Sequence, residues 1–400
     1  MRERTILPIV MANARLAADG TPSPVRPLNR SADALVVGAG VVGLSVALAL
    51  QGSGADVVVV DRSGVAEGQS GVQPGGVRLQ WGTTVNCRLA LESHAWWRAA
   101  EQTLASPVPL GFSACGYLFV AHSEAALARL RENVGIQNEA GVPSRIVSPG
   151  EASELVPGLR PEPLVGASYC ADDAYMGQPQ AAVAAIARHL DVRIAAVEAV
   201  VPDGAGWALE TTAGSVTAPA VVLAAGADTA DLVAPLGVEL PIGLEPRHLF
   251  LSEPIGERLL EPLVVSSERH FAAKQLQSGR VLASDLGATG DPETEAPVWR
   301  RHVRAVIDEL LPVLEYVGLD VIASGAYDVT PDRQPILGPL PGHDGLHVAA
   351  GFSGHGFMQS PAVGRAVAEE LLGLEPSFDL TPYRLERFAG DEVFPEELVL

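Results

Sequence analysis

Residues 33–62 constrain the fold more than any other stretch, because they place a glycine-rich turn between two short apolar runs. Residues 34–37 and 57–60 are apolar and largely β-branched, which is typical of strands buried on both faces of a parallel sheet. Between the runs, the pattern G-x-G-x-x-G is formed by Gly38, Gly40 and Gly43. This spacing allows a tight turn, a close approach of a pyrophosphate to the backbone and close packing of a following helix on the sheet.

Asp61 closes the second run about 20 positions after the last of these glycines, the spacing of an acid that binds an adenosine ribose. Strand, turn, helix, strand and acid thus follow in the order that a dinucleotide-binding unit requires. A transmembrane helix is the alternative, since residues 34–55 carry no charge, but the turn glycines and the second strand argue against it. We predict an α/β fold with a Rossmann-like domain.

Composition narrows the classes of function. The 400 residues include 27 Lys and Arg against 48 Asp and Glu, and the net charge of −21 disfavours nucleic acid and anionic membranes as partners. The cysteines, Cys87, Cys115 and Cys170, are few and lack the spacing of metal ligands. We expect a reducing, cytoplasmic location with no disulfide framework, no metal and no membrane span. Residues 1–30 are predicted to be a disordered leader, although they loosely resemble a signal peptide.

Elements of the nucleotide-binding kind recur at three separated places. A buried apolar strand at 220–225 ends in Gly226, and another at 346–350 leads into the glycine-rich loop 351–356, which a helix follows. The dipole of that helix can stabilise negative charge. The segments assigned to the nucleotide-binding domain are 31–85, 175–238 and 321–376. The segments assigned to an interrupting antiparallel-sheet domain of α+β type are 86–174 and 239–320, and a peripheral tail is expected at 377–400.

At these motifs the chain resembles FAD-dependent amine and amino-acid oxidoreductases of the D-amino-acid oxidase family, and within it the sarcosine oxidase β-subunit-like branch. The resemblance extends from residue 33 to residue 373. It is carried by the opening at 36–40, the Gly75-Gly76-Val77-Arg78 loop, and the stretches 222–226, 327–338 and 351–356. It implies FAD as the cofactor and an antiparallel substrate sheet over one face of the flavin.

The resemblance also implies how FAD is held. Asp61 is expected at the adenosine ribose, Val197 near the adenine, loop 70–76 at the flavin ring and loop 351–356 at its pyrimidine edge. Backbone N–H groups of the last loop are expected to stabilise negative charge on the flavin, with His355 adding a charge or a hydrogen bond. The predicted FAD-binding residues are Gly38, Gly40, Val42, Gly43, Asp61, Arg62, Ser70, Gly71, Gly75, Gly76, Val197, Ala225, Gly226, Asp332, Gly351, Phe352, Ser353, Gly354, His355, Gly356 and Phe357.

The implied activity is removal of a hydride from the carbon next to the nitrogen of an amine or amino acid, giving an imine, with reoxidation by oxygen or another electron acceptor. Tyr327 stands where glycine oxidase and D-amino-acid oxidase branches have a carboxylate-binding arginine. This favours a secondary amine, or a carboxylate held from elsewhere. Val72-Gln73 replaces the Arg-Asn that the family often has, which leaves the side-chain contacts of that loop open.

Two other functions remain open at this stage. One is a flavin-bearing subunit of a hetero-oligomeric amine dehydrogenase that passes electrons to a partner. The other is a non-catalytic binding protein on the same fold, since fold alone does not decide function. The sequence does not decide whether the chain forms homo- or hetero-oligomers.

A small set of side chains is predicted to act at the substrate side. The candidate catalytic residues are Tyr327, His355 and Lys274, and the candidate substrate-binding residues are Arg78, Arg247 and His270. The alternatives are a packed aromatic for Tyr327, a turn residue for His355, and residues at the surface or behind the site for Lys274, Arg247 and His270. Arg78 either faces the pocket or does not. The adjacent acids Asp172 and Asp173 are predicted to form a turn rather than a metal pair, because no further ligands follow at a useful spacing.

Overall fold

The computed structural model describes residue 28, residues 30–390 and residues 393–396, so most of the predicted leader, residues 1–30, lies outside the described residues. The α-helices of the described part are Val41–Gly52, Gln69–Val72, Thr84–Thr103, Glu124–Glu139, Pro149–Leu155, Pro179–Ala187, Thr229–Val233, Pro292–Leu310 and Gly356–Leu371. Short 3-10 turns are Gly226–Asp228, Ala234–Leu236, Ser267–Arg269, Pro312–Leu314, Thr381–Tyr383 and Leu385–Ala389. Among these helices, none has the length and apolar character needed to cross a membrane.

A six-stranded sheet carries the glycine-rich turn. Its strands, in spatial order, are Asp191–Ile194, Val57–Asp61, Ala34–Val37, Ala220–Leu223, His343–Ala350 and Ile336–Leu340. Neighbours run parallel except at the last strand. The central strands are buried on both faces, which explains their unbroken apolar runs. In such sheets ligands bind beyond the carboxyl ends of the strands, and here that edge carries the turn.

Two layers cover the six-stranded sheet. One face packs against helices, mainly Val41–Gly52, Thr84–Thr103 and Gly356–Leu371, in a shared apolar core. The other face packs against a four-stranded sheet, in a second core that includes Trp207 and Leu209. The strands of this second sheet, in spatial order, are Arg30–Ser31, Gly214–Ala218, Gly206–Thr211 and Val197–Asp203.

An eight-stranded, mostly antiparallel sheet forms the rest of the fold. Its strands, in spatial order, are Val321–Val329, Gly243–Leu251, Val281–Asp285, Phe271–Gln275, Leu263–Ser266, Tyr117–Ala121, Gly166–Cys170 and Arg145–Val147. Helix Pro292–Leu310 covers one face through Trp299 and Val303, while the other face borders a cavity shared with the six-stranded sheet. A small sheet of Phe112–Ala114, Ala174–Met176 and Gly76–Val77 lies beside it.

Two details of the predicted organisation need correction. Strand Val321–Val329 pairs along its whole length with Gly243–Leu251, so the domain boundary predicted at residue 321 falls one strand too early. The alternation within a strand does not reveal which partner it pairs with. The tail predicted to be peripheral also contains buried side chains, among them Tyr383, Arg387 and Glu396.

Candidate active site

A cavity of about 700 Å³ runs from the carboxyl edge of the six-stranded sheet to the inner face of the eight-stranded sheet. Asp61, Arg62 and residues 195–197 line one end, and the glycine-rich turn lines the middle. Strands Gly243–Leu251 and Val321–Val329 contribute side chains to the other end. The shape suits an elongated ligand that reaches from one sheet to the other.

The glycine-rich turn brings the backbone to the cavity. Gly38 has φ of +111°, and a Cβ atom there would lie 2.3 Å from the backbone oxygen of Ala224. Only glycine fits such a position without strain. Gly40 and the first residues of helix Val41–Gly52 line the cavity directly. Free N–H groups and the positive end of the helix dipole make this the place for a pyrophosphate.

Asp61 is fixed at the same edge of the sheet. Its Oδ2 accepts a hydrogen bond from the Ala39 N–H, and its Oδ1 accepts from two backbone N–H groups that follow it, all at 2.8 Å. The carboxylate keeps further lone pairs that can accept from ligand hydroxyls. Nearby, Ser70 Oγ accepts from the Val41 N–H at 2.9 Å and ties the glycine-rich loop to the start of the helix.

Arg78 lies at the cavity wall with only 1% of its surface exposed. Its three guanidinium nitrogens have no hydrogen-bond partner among the described residues. The guanidinium lies over the Trp81 ring, with 4.4 Å from Cζ to the ring centroid. Burial lowers the pKa of Arg78, while the charges of Glu396 and Asp173 raise it. A buried cation with unused donors is a site for an anionic group.

His355 stands beside this arginine. Its ring packs edge-on against Trp81 at 4.6 Å between centroids, and its Nε2 has no partner in the described part of the chain. Burial first, and then the charges of Arg78 and Arg333, lower the pKa of His355 well below its usual value. The lowered pKa favours the neutral imidazole over the positive charge that the sequence also allowed. The unpartnered Nε2 can take part in a hydrogen bond at the cavity.

Three more candidates reach the cavity from the eight-stranded sheet. Lys274 is buried and donates to the Pro74 carbonyl at 2.7 Å, and burial lowers its pKa to about 8. Arg247 pairs with Glu245 at 2.6 Å, and its Cζ lies 5.1 Å from the centre of the Tyr327 ring. Burial raises the pKa of Tyr327, so its hydroxyl stays protonated. The substrate side of the cavity is thus bordered by cations.

His270 does not line the cavity. It is exposed and has φ of +46°, in the turn between strands Leu263–Ser266 and Phe271–Gln275. The structure therefore does not bring it together with Arg78 and Arg247, the other predicted substrate-binding residues, which do line the cavity. The 3-10 turn Ser267–Arg269 directly precedes it and separates the two strands.

Comparison with known proteins identifies the family. A profile of the DAO family, described as FAD dependent oxidoreductase, matches residues 33–370. The chain belongs to this family of FAD-dependent oxidoreductases. It is similar to glycine oxidase of Geobacillus kaustophilus, at 29% identity over 90% of this chain and 97% of the relative. It is also similar to FAD-dependent oxidoreductase domain-containing protein 1 of Bos taurus, at 28% identity over 94% of this chain and 88% of that protein.

A solved structure extends the likeness to the whole fold. L-proline dehydrogenase from P. horikoshii superimposes with a TM-score of 0.84 at 26% identity, covering 91% of this chain and 100% of that one. This FAD-dependent oxidoreductase therefore has the fold of an enzyme that is itself named for the oxidation of an amino acid.

The described residues of this oxidoreductase fit FAD. The turn at Gly38 has no room for a side chain, the adenosine end offers the Asp61 carboxylate, and the far end offers unused polar groups on Arg78 and His355. The predicted FAD-binding residues that line the cavity are Gly38, Gly40, Val42, Asp61, Arg62, Ser70, Gly76, Val197, Ala225, Gly226, Phe352, Gly354, His355, Gly356 and Phe357.

The remaining predicted FAD-binding residues do not line the cavity: Gly43, Gly71, Gly75, Asp332, Gly351 and Ser353. Gly43 allows close packing instead, because a Cβ atom there would lie 2.1 Å from the Gly38 oxygen. Asp332 forms a buried ion pair with Arg387, with 2.8 Å between Nε and Oδ2. The structure gives Gly43 and Asp332 these packing and ion-pair contacts, and the FAD contacts predicted for the six residues stay predictions.

Two residues at the site were not predicted to belong to it, Tyr117 and Asp173, although the sequence assigned Asp173 to a turn. Tyr117 lines the cavity from strand Tyr117–Ala121, whose residues are all buried, so no alternation in the sequence marks the side that faces the cavity. Asp173 is fully buried beneath Arg78, accepts hydrogen bonds from the Leu79 N–H and from Gln80 Nε2, and burial raises its pKa to about 6. Within the described ranges no group of His, Cys, Asp and Glu is arranged to hold a metal ion.

Proposed function

We propose that this FAD-dependent oxidoreductase oxidises the carbon next to the nitrogen of an amine or amino acid, with a preference for a secondary amine that carries a carboxylate. The names of relatives support this class, since glycine and L-proline are amino acids and the nitrogen of L-proline is a secondary amine. Bound FAD would supply the acceptor for the hydride that leaves the substrate carbon. The residues of the chain bind the anionic group, select the protonation state of the amine and exclude water.

The observation that carries the proposal is the buried guanidinium of Arg78, whose nitrogens have no partner among the residues described. A buried charge without hydrogen bonds is costly, so a ligand that supplies an acceptor is strongly favoured. A carboxylate matches the planar donors of a guanidinium and forms two parallel hydrogen bonds with it. We therefore place the carboxylate of the substrate at Arg78.

The charges around the site favour the neutral form of the amine. Arg78, Arg247 and Lys274 all line the substrate side of the cavity. Nearby positive charges disfavour a second cation and lower the pKa of a bound amine. The neutral amine is the reactive form, because its nitrogen lone pair stabilises the carbon as the hydride leaves. In this proposal neither Tyr327 nor His355 acts as a general base, and each donates or accepts a hydrogen bond to the substrate, which is supported by their position in the cavity lining.

Apolar side chains also line the substrate side of the cavity. These side chains come from the inner face of the eight-stranded sheet and are Leu249, Leu263, Ala272, Leu282 and Ala323. Such a surface accommodates the hydrocarbon part of an amine and keeps water away from the reacting carbon. The site therefore combines an anion position with an apolar position, as an N-alkyl or cyclic amino acid requires.

The visible absorption spectrum of the purified protein tests this proposal. We expect flavin bands that bleach on anaerobic addition of N-methyl and cyclic amino acids, and that bleach far more slowly with the corresponding neutral amides. Equal bleaching by acids and amides would contradict the role of Arg78. Bands that persist with every secondary amine tried would contradict the substrate class. Admitting air, and separately an artificial electron acceptor, then distinguishes an oxidase from a subunit that passes electrons to a partner.

We also propose a cytoplasmic, reducing location. The support is that Cys87, Cys115 and Cys170 are all buried free thiols. Fractionation of the source cells, followed by detection of the protein with an antibody, tests this location, and recovery from an oxidising compartment would contradict it.

A further inference from the structure

The last described residues, 393–396, form a strap across the back of the cavity wall. The Glu396 N–H donates to the Asp332 carbonyl at 3.1 Å, and Gln334 Nε2 donates to the Phe394 carbonyl at 3.3 Å. The Phe394 ring also packs edge-on against the ring of Tyr383. The strap is thus held in place by backbone as well as side-chain contacts.

The strap carries a buried carboxylate into the segment that holds Arg78. Glu396 is 2% exposed and accepts hydrogen bonds from the Gly82 N–H at 3.0 Å and from Asn86 Nδ2 at 2.8 Å. Gly82 ends the stretch that begins at Arg78, and Asn86 lies in the first turn of helix Thr84–Thr103. A carboxylate is favoured at that end of a helix by its dipole. One side chain therefore fixes both the segment and the helix that follows it.

Trp81 transmits this restraint to the cavity. It lies directly before Gly82, its ring is fully buried, and its Nε1–H donates to the Arg78 carbonyl at 3.1 Å. The Arg78 guanidinium lies over one part of the ring and His355 packs edge-on against it. The position of Gly82 therefore influences where the Arg78 guanidinium and the His355 ring lie at the cavity wall.

The Glu396 carboxylate of the strap also compensates the positive charge of Arg78. It does so without accepting a hydrogen bond from the guanidinium. The charges of Glu396 and Asp173 both favour the protonated guanidinium, yet neither carboxylate accepts a hydrogen bond from it. Glu396 accepts hydrogen bonds from Gly82 and Asn86, and Asp173 accepts from Leu79 and Gln80. A direct ion pair would have stabilised the arginine but blocked the anion position.

We propose that Glu396 is a positioning residue for Arg78, which holds the 78–82 segment from behind so that the guanidinium stays at the cavity wall with its N–H groups open to an anionic ligand. This inference rests on the proposed function of Arg78 as the anion site. It assigns a role at the active site to the far C-terminal end of the described chain.

The test uses the FAD-loaded full-length protein and acetate as the anionic probe, with neutral acetamide as its uncharged counterpart. The dissociation constant is read from the change in the visible flavin spectrum, and thermal unfolding is recorded in parallel. The variants are Glu396→Ala, Glu396→Gln and Arg78→Met, with Glu386→Ala as a control because Glu386 is an exposed acid of the same region. We expect Glu396→Ala to weaken acetate binding roughly tenfold, equivalent to about 1.4 kcal/mol, with acetamide unaffected.

Glu396→Gln is expected to recover most of the acetate affinity, because its amide oxygen can still accept from Gly82. A purely structural role would lower the unfolding temperature of Glu396→Ala and leave the dissociation constant of the folded protein unchanged, which would overturn the inference. If Glu396→Ala does not retain FAD, Glu396→Asp replaces it. The shorter aspartate side chain must either move the 78–82 segment or lose its hydrogen bonds to it. Unchanged acetate binding in Glu396→Asp would also overturn the inference. Arg78→Met separates the two proposals. If acetate binding survives there, the anion site itself is refuted, whereas loss there with none in the Glu396 variants refutes only the positioning role.

Discussion

Replacing Arg387 with alanine is expected to destabilise the fold far more than breaking an exposed ion pair. Arg387 Nε lies 2.8 Å from Asp332 Oδ2, a second guanidinium nitrogen donates to Oδ1 at 3.0 Å, and the two side chains are 4% and 1% exposed. The same guanidinium donates to the carbonyls of Tyr383 and Gln334, both at 2.8 Å. It therefore joins the turn after strand Val321–Val329 to the C-terminal region.

The size of the effect follows from what the substitution leaves behind. Asp332 stays buried, and among the described residues the Thr330 hydroxyl and the Gln334 N–H are the donors that remain, both at 3.2 Å. Removing one partner of a buried pair costs about 3–5 kcal/mol, a large share of the roughly 5–15 kcal/mol that holds a domain folded. The pair of Arg365 with Glu92 has exposed fractions of 46% and 30%, so Arg365→Ala is expected to cost at most about 1 kcal/mol.

Urea unfolding of the FAD-loaded protein, followed by tryptophan fluorescence, measures both variants. We expect Arg387→Ala to lower the midpoint strongly with little change in the slope, and Arg365→Ala to leave it nearly unchanged. Adding Asp332→Asn to Arg387→Ala should recover part of the loss, because the neutral amide no longer buries a charge. Equal midpoint shifts for the two arginine variants would refute the argument that burial makes the Asp332–Arg387 pair costly to break.

Three further outcomes are expected. Gly38→Ala should lose bound flavin absorbance, since its Cβ would lie 2.3 Å from a backbone oxygen, whereas Gly52→Ala, with nothing within 4 Å, should keep it. Lys274 has a pKa of about 8 when folded against an ordinary value of 10.5, so the unfolded chain binds the proton more tightly. The free energy of unfolding should then rise with pH between these values, and denaturation series at pH 8 and pH 10 should show that rise missing from Lys274→Met. Arg78→Met should raise the KM of a carboxylate-bearing amine by about 10–100-fold, because about 1.5–3 kcal/mol of charged hydrogen bonding is lost. The control Arg88→Met, on the exposed side of the next helix, should leave the KM unchanged.

What the sequence could predict is mostly what depends on local backbone. The turn at Gly38 requires a positive φ and leaves no room for a side chain, and glycine is the residue that satisfies both requirements. The buried parallel strands were predicted for the same reason, because burial on both faces demands unbroken apolar runs. His270 shows the limit, since a single 3-10 turn between two strands was enough to move a predicted ligand to the surface.

What the sequence could not predict depends on partners far away along the chain. Gly82 and Glu396 are separated by 314 positions, and Asp332 and Arg387 by 55, yet each pair is joined by a hydrogen bond. In the sequence these acids look like others among the 48 Asp and Glu residues, and Asp173 looks like part of a turn. A buried carboxylate needs hydrogen-bond donors, and here they come from distant segments of the chain. The sequence around the acid therefore does not indicate that it is buried. The glycine-rich loops that touch the cavity therefore follow from motifs, while Tyr117 and the acids that hold the Arg78 segment in place become visible only once the chain has folded.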